Sequence, residues 1–161
     1  MCMILLPLIR SRVDVPIIAA GGFIDGRSMA AAFALGAEGI QMGTRMVSSL
    51  ASPVHDNWKQ CIVEAAETDT VFLNRFHSPA LRALRTNWTT DLEKRIDVNA
   101  MTEFGNAQAL YFGGDMEAAI PLSGQVCGRI DEIKPVAQIL SETRNEFFDT
   151  IGSLADAYLS D

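Results

Sequence analysis

The stretch from Val15 to Met46, VPIIAAGGFIDGRSMAAAFALGAEGIQMGTRM, constrains the fold more than any other part of the chain. Val15 to Ala20 is a continuous apolar run, the pattern of a strand buried on both faces of a parallel sheet. Pro16 falls near its start, where a missing N–H is tolerated. Gly21 and Gly22 end the run. Asp25 is placed to cap a helix, RSMAAAFALG, in which Met29 and Phe33 share a face and Gly36 supplies the stop. A second apolar run, EGIQMG, closes on Gly43-Thr44. Strand, helix and strand with so short a crossover predict two parallel strands joined by a right-handed connection. The fold class is therefore α/β.

Parallel strands direct ligands to their carboxyl ends. A glycine there lets backbone N–H groups approach an anion closely, and Thr44 adds a hydroxyl donor. A helix start after the second strand would favour the same charge. Two adjacent strands ending this way match the phosphate site after strands seven and eight of a (β/α)8 barrel. Tight turns alone would also account for the glycines, and the pattern by itself leaves both open.

The remaining composition narrows the function classes. The chain has 161 residues, 48% hydrophobic and 20% charged, enough for a globular core. Its net charge of −7 argues against nucleic acid or an anionic membrane as the main partner, while a small-molecule substrate is compatible with it. Cys2, Cys61 and Cys127 are far apart and form no CxxC pair, so free thiols in a reducing compartment are expected. The apolar opening MCMILLPLIRSRV is too short to span a membrane and has no small-residue cleavage site. The expected location is the cytoplasm. No His/Cys/Asp cluster has metal-ligand spacing, and no metal is expected.

The block from Val15 to Met46 closely resembles the nitronate monooxygenase family, also known as 2-nitropropane dioxygenases. The FMN-dependent enoyl-ACP reductases share its fold and nearly the same motif. The resemblance continues in HDNWKQCIVEAAETDTVFL, in PALRALRTNW and in GDMEAAIPLSGQVCGRIDEIKPVAQIL, covering roughly Pro7 to Leu140. It implies a flavin mononucleotide site at the carboxyl end of a barrel. Gly22 would match the phosphate-contacting glycine after strand seven, with Gly21 as its turn partner. Gln41, Met42, Gly43 and Thr44 would match the flavin-phosphate segment at strand eight. The implied activity is oxidative denitrification of alkyl nitronates with oxygen. The alternative is reduction of an enoyl thioester, with NAD(P)H feeding the flavin; GDMEAAIPLSGQVCGRI looks at least as much like that branch.

The resemblance also implies that the family's catalytic histidine lies in a GGH-type motif, and no such motif stands here. A barrel needs about 250 residues. The expectation is a carboxyl-terminal portion, inactive alone: residues 1–47 carry the last barrel βα units and the phosphate loops, and residues 48–161 a mostly helical region with one short strand. A catalytically silent binding or assembly role is a third reading, and association with copies of itself or with an amino-terminal half is expected from open strand edges.

Elsewhere, LLPLIRSRV reads as a helix, HDNWKQCIVEAAETD as an amphipathic helix burying Trp58 and Ile62, and TVFLNRF as a strand. SPALRALRTNW reads as a helix with Arg82 and Arg85 on one face, either solvated or touching an anion. His55 and His77 are expected to cap or to lie at the surface. Ser123 and Gln125 are substrate-pocket candidates, and tight packing at Gly124 and Gly128 is the other explanation of SGQVCG. The tail from Pro135 reads as a helix with an apolar stripe.

Overall fold

The computed structural model describes residues 2–159; the Cys2 side chain, expected as a free thiol, lies outside what is described. In chain order the elements are α1 (Cys2–Arg10), β1 (Ile18–Ala20), α2 (Gly26–Ala34), β2 (Gly39–Gln41), α3 (Thr44–Val47) and α4 (Asp56–Glu64). There follow β3 (Thr70–Leu73), β4 (Leu81–Leu84), α5 (Asn87–Lys94), α6 (Ala107–Tyr111), a 3-10 turn (Gln125–Arg129) and α7 (Val136–Tyr158). The chain divides into two compact units, residues 1–42 with 135–161, and residues 43–134.

The first unit contains the expected strand–helix–strand. β1 and β2 pair in parallel, with Ile18 opposite Gly39 and Ala20 opposite Gln41. Asp25 caps α2 by a reciprocal pair of bonds with Ser28, and Gly36 turns the chain at φ +99°. Ala19 packs with Leu6, Phe23, Ala32 and Ala37. The strand differs from expectation in one respect. It is buried on one face only, because α1 and α2 supply apolar partners to Ala19 while Ile18 stays 68% exposed. α7 lies along α2, where Phe33 meets Phe147 edge to face at 5.0 Å between ring centroids.

The second unit is built on an antiparallel hairpin, β3 with β4, in which Leu73 faces Leu81 and Thr70 faces Leu84. Its core joins Val71, Leu73, Ala83, Leu92, Ala100 and Ile120. The reading of SPALRALRTNW as one helix is corrected: Leu81–Leu84 is strand, and the helix begins only after Thr86, which caps α5 with Thr89. Pairing with β3 and burial of Ala83 and Leu84 outweigh the helix propensity of Leu, Ala and Arg. Asn74 closes the turn after β3 at φ +62°, its side chain bonded to the Pro79 carbonyl and to the Ala100 N–H.

Candidate functional site

In the first unit the parallel register places Gly21-Gly22 and Met42 just beyond the paired ends Ala20 and Gln41. Gly21 and Gly22 both have positive φ, +94° and +93°, a conformation that glycine adopts without a side-chain clash. A Cβ built on either would meet no atom within 4 Å, so open space lies over this backbone. Gln41 is exposed and Met42 half-buried. Bare main chain of this kind can come close to an anion.

In the second unit Gly43 precedes α3, and a Cβ there would likewise meet nothing within 4 Å. Thr44 Oγ1 accepts a hydrogen bond from the Gly124 N–H at 2.9 Å. The segment leading to Gly124 runs beside β4: the Leu84 N–H donates to the Pro121 carbonyl, and the Ser123 N–H to the Arg82 carbonyl. So the two motifs that the sequence separated by 80 positions, Gly43-Thr44 and Ser123-Gly124-Gln125, meet in one unit. Ser123 is buried, and its hydroxyl makes no hydrogen bond of ordinary geometry. Gln125 is exposed at the start of the 3-10 turn. Tight packing does explain Gly128, whose Cα faces the backbone of Ala66 and Glu67.

Other candidates are engaged elsewhere. His55 caps α4, its Nδ1 accepting from the Asn57 N–H at 3.1 Å, and its ring rests against Gly114. Arg82 donates to Thr70 Oγ1 and lies over the Phe72 ring, and Arg85 pairs with Glu93. Arg45, which no sequence pattern singled out, is buried and donates to the Glu132 carbonyl at 2.8 Å. Burial pushes the Cys61 thiol up, helped by the Glu64 charge, and burial also raises Cys127. Neither is an activated nucleophile. Among the described residues no group of three or more His, Cys, Asp and Glu is placed to hold a metal ion, and no helix is long and apolar enough to cross a membrane.

Residues 1–146 match the model of the family described as nitronate monooxygenase. The chain belongs to the nitronate monooxygenase family. A curated Staphylococcus aureus (strain Newman) protein, "Probable nitronate monooxygenase", is 37% identical over 90 residues, 56% of this chain and 25% of its own length. Among solved structures, FabK from Thermotoga maritima is 40% identical with a TM-score of 0.90, over 98% of this chain and 52% of that one. The nitroalkane oxidase from Streptomyces ansochromogenes shares the fold at 23% identity and a TM-score of 0.78, over 95% of this chain and 45% of its own. The chain thus spans about half the length of these solved relatives and, over the matched stretch, a quarter of the curated one.

Proposed function

We propose that this chain serves an FMN-dependent oxidoreductase of nitronate monooxygenase type, with β1 and β2 as strands of a flavin-binding (β/α)8 barrel. The observation that carries the reading is the positive-φ pair Gly21-Gly22 at the carboxyl end of a parallel strand, with open space over it, in a chain of this family. The main-chain N–H of Gly22 contacts the flavin phosphate, with Gly21 as its turn partner, and Gln41 and Met42 line the end of the neighbouring strand. In the second unit Gly43 offers bare backbone and Thr44 a hydroxyl. When bound, FMN supplies the redox centre at which an alkyl nitronate is oxidised and oxygen reduced.

Ser123 and Gln125 belong to the substrate pocket in this reading, because Gly124 between them touches Thr44. Reduction of an enoyl thioester by NAD(P)H through the same flavin is the second reading, supported by the likeness of GDMEAAIPLSGQVCGRI to that branch. Oxygen uptake with an alkyl nitronate, set against NAD(P)H oxidation with a crotonyl thioester, separates the two. Uptake on the nitronate supports the first, and thioester-dependent NAD(P)H oxidation alone replaces it with the second.

Association belongs to the same proposal. Each strand of the parallel pair has one hydrogen-bonded neighbour strand among the described residues, and Ile18 is largely exposed. α1 and α7 add exposed Met3, Ile4, Phe148 and Leu154. Such edges and faces favour copies of the chain or an amino-terminal half of the barrel as the covering partner.

A further inference from the structure

We propose that a second copy of this chain docks on the carboxyl-terminal half of α7, the two α7 helices crossing antiparallel about a two-fold axis between Leu154 and Ala155. The proposal deepens, and rests on, the association reading above; it does not depend on the flavin.

The surface lies wholly within the first unit. α7 buries Ile139, Thr143 and Phe147, the last two against Gly26 of α2. α2 then stops at Ala34 and Gly36 turns the chain away, while α7 continues to Tyr158. Beyond Phe147 the helices leave a groove of about 420 Å³, with Ala30, Phe33 and Ala34 on one side and Ile151, Leu154 and Tyr158 on the other. Its lining offers one polar side-chain group, the Tyr158 hydroxyl. Such a groove takes the apolar edge of a helix.

α7 itself presents an edge of that kind. At about 100° per residue, Phe148, Leu154, Ala155, Tyr158 and Leu159 all fall within about 80° of Ile151, whereas Asp149 and Asp156 lie about 140–160° away. The acidic groups of the helix therefore stay out of the contact. Phe148, Ile151, Leu154, Tyr158 and Leu159 are between 45% and 82% exposed. With about 150–250 Å² for a side chain of this size, they leave roughly 600 Å² of apolar surface per copy, as much as the largest patch on a typical monomer. Two copies would bury roughly 1,200 Å², the lower end of what a specific interface needs. A two-fold copy covers groove and edge at once, because α7 supplies one wall of the groove and also the edge that fills it. The antiparallel crossing sets the helix dipoles head to tail and brings Ile151 against the partner's Tyr158. Ala155, half-buried and small, lets the helices approach at the axis.

The test uses the 161-residue chain at micromolar concentration, with mass read by light scattering and folding by circular dichroism. Ile151→Lys and Leu154→Lys, both at exposed positions where a lysine can reach water, should each weaken self-association roughly tenfold or more with the far-UV spectrum unchanged. A mass unchanged in both overturns the inference; if Ile18→Lys then separates the copies, they meet at the strand edge and the association reading stands. A wild-type monomer overturns both. A second measurement leaves the apolar face almost intact. Under mild oxidation Ala155→Cys should give a disulfide-linked dimer that wild type does not form. Ser153→Cys, on the opposite face, and Ile151→Cys, about 5 Å from the axis along the helix, should not. No link at Ala155, or equal linking at Ser153 or Ile151, overturns the antiparallel seating.

Discussion

The Gly26 N–H donates to Glu146 Oε2 at 2.8 Å, tying the first residue of α2 to the middle of α7 across 120 positions of sequence. Glu146 also pairs with Arg27 at 3.2 Å. The helices approach so closely here that a Cβ on Gly26 would overlap the Phe147 amide and the Thr143 carbonyl. Backbone cannot yield as a side chain can. Gly26→Ala should therefore destabilise the chain by about 1–3 kcal/mol. Gly152, within α7, has nothing within 4 Å of its built Cβ and an ordinary helical φ. Gly152→Ala should stabilise by about 0.5–1 kcal/mol through helix propensity. Urea midpoints of the two variants check both signs; a neutral Gly26→Ala contradicts the close contact.

These relationships divide what was legible in the sequence from what was not. The Asp25 cap, the Gly36 stop and the parallel pairing of β1 with β2 depend on neighbours within about one turn or one crossover, and short-range pattern suffices to find them. Arg82 and Arg85 misled because Leu, Ala and Arg at three- and four-residue spacing also suit a helix, while the deciding partner, β3, lies on another segment. The one-sided burial of β1, with Ala19 covered and Ile18 and Ala20 exposed, has the same origin: an apolar run states that a strand can be covered, not which neighbours cover it. The candidates Gly21, Gly22, Gly43 and Thr44 are read from strand ends, a local pattern. The bond between Thr44 and Gly124 had no local signal, nor did the buried Ser123 hydroxyl or Arg45.

Glu117 makes the stability of the chain depend on pH. Its carboxylate accepts from the Asn87 and Trp88 N–H groups at 3.0 and 2.8 Å at the start of α5. Burial raises its pKa, but hydrogen bonds from the Trp88 and Asn87 backbone outweigh this, so the carboxyl lies below its ordinary value. A lowered folded pKa adds stability above the unfolded value, roughly pH 4.3, and that stability disappears as pH falls through the folded value. Glu117→Gln should thus lower the urea midpoint at pH 7, with the gap from wild type closing toward pH 3. A gap that widens on acidification contradicts the lowered pKa.

Association should appear in mass. Size exclusion with light scattering at micromolar concentration should give a mass above the 17.5 kDa of one chain. Ile18→Lys places a charge on the exposed face of β1 and should shift the distribution toward monomer. A monodisperse wild-type monomer with a cooperative melt contradicts the association.

Flavin retention decides whether the Gly21-Gly22 backbone holds the phosphate. Gly22 sits at φ +93° with open space beyond it, so a side chain there would enter the space assigned to the phosphate and would also strain the backbone by about 1–3 kcal/mol. FMN titration of wild type and Gly22→Val, with far-UV circular dichroism to confirm that both are folded, separates these effects. The expected result is an FMN affinity at least tenfold weaker in the variant, with riboflavin binding much less affected. FMN binding that is unchanged in a folded Gly22→Val would contradict the assignment of the Gly21-Gly22 backbone to the flavin phosphate.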